Sequence, residues 1–262
     1  MKQRSVSHGI KMGFGTKKQL HEKIVQLSGG KQMIYITGDT HRNFRRVAAF
    51  CDTVESTQED ILIILGDAGI NYFGKLKDDI LKRHLSELPI TLFCIHGNHE
   101  QRPNGIDTYQ EICWHGDTVY MEPEFPNILF AKDGEIYELA GKHCVAIGGA
   151  YSVDKHIRLA ENMGWWEDEQ PSVEIKTYVE RQLEQADWNV DIVLSHTCPM
   201  KYIPGEVLLS GIDQSSVDNS TEEWLNTTEE RLTYSRWYCG HYHTNKTIDK
   251  MRFLFEDFLE IG

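Results

Sequence analysis

The chain is organised around Ile34–His41, which reads IYITGDTH. The stretch begins with a short apolar, β-branched run, and such a run predicts a buried strand. Gly38 ends the run, and Asp39 and His41 follow it two residues apart. A carboxylate and an imidazole at one strand end can bind the same divalent ion. Taken alone, however, the stretch is better explained by an ordinary turn between a strand and a loop.

The same arrangement recurs at four more places along the chain. In each, a short apolar run is followed by glycine or serine and then by residue types that bind metals, in Gly66-Asp67, Gly97-Asn98-His99-Glu100, Ser195-His196 and Gly240-His241-Tyr242-His243. A histidine outside such a motif is best explained as a hydrogen-bonded turn residue, an interpretation that we give to His84, His115, His143 and His156. Five motifs of one kind indicate a shared site instead.

The motifs supply seven candidate metal ligands, which are Asp39, His41, Asp67, Asn98, His196, His241 and His243. Carboxylate, carboxamide and imidazole donors suit Mn²⁺, Fe or Zn²⁺, whereas a softer site would contain thiolates. Seven donors exceed what one ion needs. They suit two ions about 3.5–4 Å apart, with a carboxylate bridging them.

The first half of the chain alternates between predicted strands and helices. Strands are predicted at Met33–Thr37, Ile61–Leu65 and Ile90–Ile95, with amphipathic helices at Arg42–Val54 and Leu76–Leu88. This order is typical of a parallel sheet in an α/β fold. Because ligands bind at the carboxyl ends of the strands in such sheets, the motifs lie where a site is expected.

The second half is less regular. Further strands are predicted at Glu135–Leu139, Cys144–Ile147, Ile192–Leu194, Ser235–Cys239 and within Lys246–Phe255, and a helix at Ser172–Ala186. Residues 151–171 show no clear periodicity and are interpreted as a surface excursion over the site. We expect residues 1–32 to be an extension that is partly disordered or helical, with a helix at Lys17–Leu27, and residues 33–262 to form the functional domain.

Composition narrows the class of protein. The chain has 262 residues, 40% of them hydrophobic, which fits one large α/β domain or two small ones. Its 27 Lys and Arg against 40 Asp and Glu give a net charge of −13. That balance disfavours extended nucleic-acid binding but not a small phosphorylated substrate held by metal. Six scattered cysteines, no apolar run of membrane-spanning length and no signal-peptide pattern lead us to expect a cytoplasmic protein without membrane attachment.

The motif set, taken in order from residue 38 to residue 243, resembles that of the calcineurin-like metallophosphoesterases. The resemblance implies a four-layer α/β/β/α sandwich. It implies that Asp39, His41 and His243 hold one metal, that Asp67 bridges, and that the second metal is held by Asn98, His196 and His241. His99 would not be a ligand; it would point at the phosphate, where it stabilises developing charge or protonates the leaving oxygen.

The implied activity is that of a phosphoric ester hydrolase. Two metals, with Mn²⁺ favoured and Fe or Zn²⁺ as alternatives, would lower the pKa of a bridging water and orient the resulting hydroxide. The hydroxide would attack phosphorus in line, and most of the catalysis would come from positioning and electrostatics. The candidate catalytic residues are His99, Asp67 and Arg102. No further cofactor is implied.

The sequence also departs from one branch of that superfamily. Glu100-Gln101-Arg102 resembles the segment of Ser/Thr phosphoprotein phosphatases whose Arg contacts the phosphate, although Arg102 is also explained as a solvated loop charge. Ile70 stands where those phosphatases have an Asp that partners the catalytic His, and Asn71 where they have a second phosphate-binding Arg. Arg42 stands where a Gly usually follows the first motif histidine of those phosphatases. Residues 148–158 and 165–167 resemble segments of bacterial and prophage phosphoesterases.

Three functions therefore compete. The preferred one is a phosphomonoesterase that acts on a small phosphorylated molecule or a phosphoprotein. The second is a phosphodiesterase or nuclease with the same metal core. The third is a metal-dependent binding protein without activity, which would be marked by a lost ligand or a lost His99, and neither is lost.

Overall fold

The structure, a computed structural model, describes residues 32–208 and 211–262. The predicted helix at Lys17–Leu27 lies outside the described residues, as does nearly all of the predicted extension, whose separation from the rest stays a prediction. Residues 33–262 form one compact unit.

The first of two sheets is built mainly from the N-terminal half of the described chain. It contains β1 (Ile34–Thr37), β2 (Ile61–Ile64), β3 (Thr91–Cys94), β4 (Gln110–Trp114), β5 (Asp117–Met121), β6 (Ile128–Ala131) and β13 (Leu259–Glu260), in the spatial order β13-β1-β2-β3-β6-β5-β4. Strands β1, β2, β3 and β6 are parallel. Thr37 pairs with Ile64, and Ile64 pairs with Cys94, so the first three strands end at the same level.

The second sheet contains β7 (Ile136–Leu139), β8 (Lys142–Ile147), β9 (Ile192–Ser195), β10 (Arg236–Cys239), β11 (Lys246–Ile248) and β12 (Met251–Phe253). Its spatial order is β11-β12-β10-β9-β8-β7, and β8, β9, β10 and β12 are parallel. Ser195 pairs with both Ile147 and Cys239, so these strands also end at one level.

Three hydrophobic cores show how the layers are stacked. Because side chains alternate along a strand, each sheet has two apolar faces when it is covered on both sides. The inner faces meet in a core shared by both sheets, which includes Ile36, Ile63, Phe93, Ala146 and Leu194. The two sheets therefore pack face to face.

Helices cover the outer faces. Ile64 and Leu92 pack with Val47 of α1 (Arg45–Val54) and Leu85 of α2 (Lys75–Ser86). On the second sheet, Val193 and Trp237 pack with residues of α4 (Val173–Gln185) and α5 (Ser220–Arg231). The predicted four-layer α/β/β/α sandwich is thus confirmed. A short helix, α3 (Lys155–Ala160), follows the second sheet's strand β8.

One predicted helix boundary was wrong, and one helix was not predicted. Helix α1 begins at Arg45 rather than Arg42, because His41 and Arg42 have φ values of 44° and 66°, which a right-handed helix excludes. Helix α5 was not predicted, because the residues that it buries besides Leu225 are polar, namely Thr221, Glu222 and Thr228. A helix with that pattern lacks the apolar stripe that sequence analysis detects.

In the described part of the chain, every helix is too short or too polar to cross a bilayer.

Candidate metal centre

The structure brings the predicted ligands together at the carboxyl ends of the strands, where the two face-to-face sheets end side by side. Asp39, Asp67 and Asn98 follow β1, β2 and β3 of the first sheet, whereas His196 follows β9 and His241 and His243 follow β10 of the second. Donor atoms within 4.8 Å of one another occur in three overlapping groups: Asp39, His41 and His243; His41, Asp67 and His99; and Asp39, Asp67 and His196. The level strand ends of both sheets place the donors in this way.

One side of the cluster is built by Asp39, His41 and His243. Nε2 of His243 lies 3.2 Å from Oδ2 of Asp39, and Nε2 of His41 lies 3.8 Å from the same oxygen. The two imidazole Nε2 atoms are only 2.8 Å apart. Oδ2 of Asp39 is buried and has no hydrogen bond of normal geometry. A cation between these atoms would satisfy all three, so this donor set fits a divalent ion.

The other side is built by His196 and Asn98. Nδ1 of His196 lies 2.8 Å from the carbonyl oxygen of Leu65 and donates to it, so in the neutral imidazole, the form that binds metals, Nε2 is an acceptor. Asn98 donates its amide to Oγ of Ser152 at 2.9 Å, which turns its oxygen towards His196. That oxygen and Nε2 are both acceptors, yet they lie 2.8 Å apart. A cation held by both would resolve this conflict.

Asp67 lies between the two sides. Its Oδ1 is 3.6 Å from Nε2 of His196, and its Oδ2 is 3.9 Å from Nδ1 of His41. Each carboxylate oxygen thus faces one half of the cluster, as a bridging ligand would. His241 completes the second half, with its ring centroid 5.0 Å from that of His196 and its backbone N–H donating to Asp39 at 3.0 Å.

Four candidate ligands have a left-handed backbone that non-glycine residues rarely adopt. The φ values are 44° for His41, 47° for Asp67, 64° for His241 and 47° for His243. Such conformations cost free energy and cluster at functional sites, where surrounding structure enforces them. Here the backbone N–H of His99 donates to Asp67 at 2.8 Å, which helps to fix the turn after β3 against the turn after β2.

The glycines of the motifs have a packing role across the two sheets. A Cβ on Gly66 of the first sheet would lie 2.0 Å from Nδ1 of His196, which belongs to the second sheet. A Cβ on Gly240 of the second sheet would lie 2.2 Å from Oδ1 of Asp39, which belongs to the first. Any larger residue at either position would push the two halves of the cluster apart. This explains why glycine precedes ligands in the sequence motifs.

The cluster is electrostatically prepared for cations. Burial raises the pKa of Asp39 and Asp67, but nearby imidazoles, His243 for Asp39 and His196 for both, outweigh burial and hold each pKa below its ordinary value. Burial lowers the pKa of His241 to about 3, so this imidazole is neutral at physiological pH. Ionised carboxylates and neutral imidazoles are the forms that bind metals.

His99 lies beside the cluster with neighbours that the sequence analysis missed. Its Nδ1 is 3.5 Å from Oδ2 of Asp67 and 3.2 Å from Nη2 of Arg158, and its Nε2 is 3.9 Å from Oδ1 of Asp154. Asp154 and Arg158 stand four residues apart, a spacing that favours an ion pair on a helix and was the one available signal. They belong to the segment that was interpreted as an excursion over the site.

Arg102 has a different environment. It is 5% exposed, its Nη1 pairs with Asp133, and its Nε donates to the carbonyl oxygen of Asp168 at 2.7 Å. Among the described residues that line the cleft over the metal cluster, Arg102 does not occur. Its contact with the phosphate stays a prediction. Arg42 is likewise engaged, in an ion pair with Asp78 at 2.7 Å.

A cleft of about 420 Å³ opens over the cluster. Its lining includes Asp67, Asn98, His99, Asp154, His241 and His243. Four of the lining residues are aliphatic, namely Val153, Val207, Leu208 and Ile212, and we call them the apolar wall. Within the described ranges, no Lys or Arg side chain lines the cleft. The cleft is therefore lined both by candidate metal ligands and by aliphatic side chains.

Comparison with known proteins agrees with this geometry. A family model described as calcineurin-like phosphoesterase matches residues 33–245. The chain belongs to the calcineurin-like phosphoesterase family. Members of this family are metal-binding hydrolases of phosphate esters, and the candidate ligands identified above lie within the matched region. A search of curated proteins found no match.

A search of solved structures gave matches of low sequence identity. One crystal structure has 13% sequence identity and a TM-score of 0.47, covering 87% of this chain and 95% of its own. A protein of unknown function from Aquifex aeolicus has 14% identity and a TM-score of 0.32, with 64% and 81% covered.

Proposed function

We propose that this calcineurin-like phosphoesterase is a dinuclear-metal-dependent phosphomonoesterase. The observation that carries the proposal is that seven candidate donors follow five strand ends: five lie within mutual reach, Asn98 contacts His196, and the ring of His241 lies beside that of His196. Asp39, His41 and His243 would hold one ion, and Asn98, His196 and His241 the other. Asp67 would touch both.

The donor chemistry supports Mn²⁺ as the resident ion, with Fe or Zn²⁺ as alternatives, since it contains no thiolate. When bound, two such cations supply an acidified water and neutralise the charge of phosphate oxygens. The chain's own residues do the remaining work. Asp67 fixes the backbone of His99, and the imidazole of His99 faces the cleft, where it would stabilise or protonate the leaving oxygen.

The cleft supports a small substrate with an uncharged, partly apolar leaving group. Its volume of about 420 Å³ suits a small molecule, and its apolar wall would pack against an apolar group. The absence of Lys and Arg from its described lining, together with the net charge of −13, disfavours nucleic acid. A phosphoprotein would have to present its phosphate on an extended side chain. The six free cysteines support a reducing compartment such as the cytoplasm.

The test is a comparison of two chromogenic esters. Metal-stripped protein is reloaded with Mn²⁺ and assayed on p-nitrophenyl phosphate and on bis-p-nitrophenyl phosphate, with His99→Ala as the matched control for contaminating activity. We expect at least about a tenfold higher kcat/KM for the monoester, because two metal ions would attract its dianion more strongly than the monoanion of the diester. Preference for the diester would replace the proposal by the phosphodiesterase alternative. Full metal loading without turnover of either ester would indicate a binding protein.

A further inference from the structure

Arg158 is a buried cation outside the metal-binding set whose guanidinium is fixed from several sides. It is 6% exposed, and its Nε donates to Oδ1 of Asp154 at 2.7 Å. Its Nη1 donates to the carbonyl oxygen of Gly164 at 3.0 Å and to the hydroxyl of Tyr72 at 3.3 Å. The remaining Nη2 lies 3.2 Å from Nδ1 of His99. The network leaves the guanidinium no freedom to turn away from that imidazole.

The contact determines which nitrogen of His99 carries the proton. A guanidinium has donors and no acceptor, so Nδ1 of His99 must accept from Arg158. The proton of the neutral imidazole then lies on Nε2, which faces Asp154 at 3.9 Å on the cleft side. Oδ2 of Asp67, 3.5 Å from Nδ1, would favour the opposite tautomer. Arg158 is the closer of the two groups and opposes Asp67.

We propose that Arg158 and Asp154 are positioning residues that keep the proton of His99 on Nε2 and direct it into the cleft. The inference rests on the proposed function, because it takes His99 as the group that acts on the leaving oxygen. It also accounts for Ile70, which is fully buried and apolar at the place where related phosphatases have a carboxylate partner for this histidine. In this chain the partner comes from the segment before and within α3.

Nitrogen NMR tests the tautomer without any turnover. Full-length protein labelled with ¹⁵N-histidine is measured above neutral pH after metal removal, and again with diamagnetic Zn²⁺. The signal of His99 is assigned by its disappearance in His99→Gln. In wild-type protein we expect a protonated Nε2 and an unprotonated Nδ1. In Arg158→Met, Asp67 is the remaining partner of Nδ1, and we expect the proton to move there.

A matched control separates this effect from the loss of any buried cation. Lys82 pairs with Glu122, and both side chains are less than a tenth exposed, but Lys82 does not line the cleft. Lys82→Met should leave the His99 signal as in the wild type. A His99 that carries its proton on Nδ1 in the wild type, or one that is identical in wild type and folded Arg158→Met, would overturn the proposal.

Kinetics provide a second readout that a merely structural role would not change. The leaving oxygen of an alkyl phosphate develops more negative charge than that of p-nitrophenyl phosphate, so it depends more on the hydrogen bond that Nε2–H of His99 donates. The proton stays on Nε2, because Nδ1 accepts from Arg158, and the departing alkoxide takes its proton from water. Arg158→Met and Asp154→Asn should therefore lower kcat for an alkyl phosphate about tenfold more than kcat for p-nitrophenyl phosphate, with little change in KM. Arg158→Lys should recover part of the loss. An equal loss of kcat on both esters would contradict the positioning role. If the wild type turned over neither ester, the proposed function would be contradicted, and the NMR result alone would decide the tautomer of His99.

Discussion

The candidate metal cluster and residues 151–171 are built in opposite ways. We call residues 151–171 the covering segment, because Val153 and Asp154 line the cleft over the cluster. Donors of the cluster follow paired parallel strands within a few residues, and Asp39, Asp67 and Asn98 are each 2% exposed. The covering segment has only the six-residue helix α3, and Ile157 and Leu159 of that helix are more than half exposed. From this difference we propose a division of labour, in which the strand ends would hold the metals and the covering segment would adapt the site to a substrate.

The largest effect on metal content is expected when the carboxylate between the two halves of the cluster is removed. Asp67→Asn should lose nearly all metal and activity, because a neutral amide is a poor bridge between two cations. Elemental analysis of protein purified without chelator should approach two transition-metal ions per chain in the wild type and far less in the variant.

Asp60→Asn is the matched control, since Asp60 is a buried carboxylate just before the opposite end of β2 and bonds Met33 and Thr57. It should keep its metals. An Asp67→Asn protein with full metal content would show that the cluster does not depend on a bridge.

His99 follows the candidate ligand Asn98 but faces the cleft, so the next test asks whether it binds metal or acts on the substrate. His99→Ala should keep its metals and lose roughly 10²–10⁴-fold in kcat, the usual contribution of a positioned acid or charge stabiliser. Metal analysis and steady-state assays on one preparation provide the measurement. Loss of metal together with a rate that recovers when metal is restored would make His99 a ligand instead.

A smaller effect is expected at the apolar wall of the cleft. Leu208→Ala should lower kcat/KM for phenyl phosphate about three- to tenfold while changing that for ethyl phosphate little, because it removes apolar surface that only the larger group would cover. Leu159→Ala, which changes an exposed leucine outside the cleft lining, is the control. Equal losses on both esters would exclude a leaving-group site on this wall.

The smallest change in substrate preference is expected at Arg102. If Arg102 contacted the phosphate, Arg102→Ala would lower activity on p-nitrophenyl phosphate roughly 10–150-fold more than activity on bis-p-nitrophenyl phosphate. The observed partners predict another result: Asp133 loses its cation, and stability falls by about 3 kcal/mol while the ratio of the two activities stays unchanged. Urea unfolding and the two-ester assay distinguish these outcomes. A fall in the ratio of monoester to diester activity would support the phosphate contact of Arg102.

What the sequence could predict follows the same division. The convergence of Asp39, Asp67 and Asn98 could be expected, because each follows a parallel strand of the same sheet and such strands end at one level. The pairing of His99 with Arg158 could not, because they are far apart in sequence and their contact depends on a loop. Ile70 marked a departure from the related phosphatases, but nothing local to it identifies Asp154 as the replacement.

The mutual approach of Gly66 to His196 and of Gly240 to Asp39 has a consequence for the order of events during biosynthesis. Each half of the cluster is completed by a residue from the other sheet, so no N-terminal portion of the chain that ends before residue 243 contains a full donor set. If the site binds two ions as proposed, a ribosome-bound chain would not acquire both while its first sheet is emerging. Complete loading of the proposed site would therefore follow the synthesis of almost the whole polypeptide, although His41, Asp67 and His99 already lie together in the first sheet.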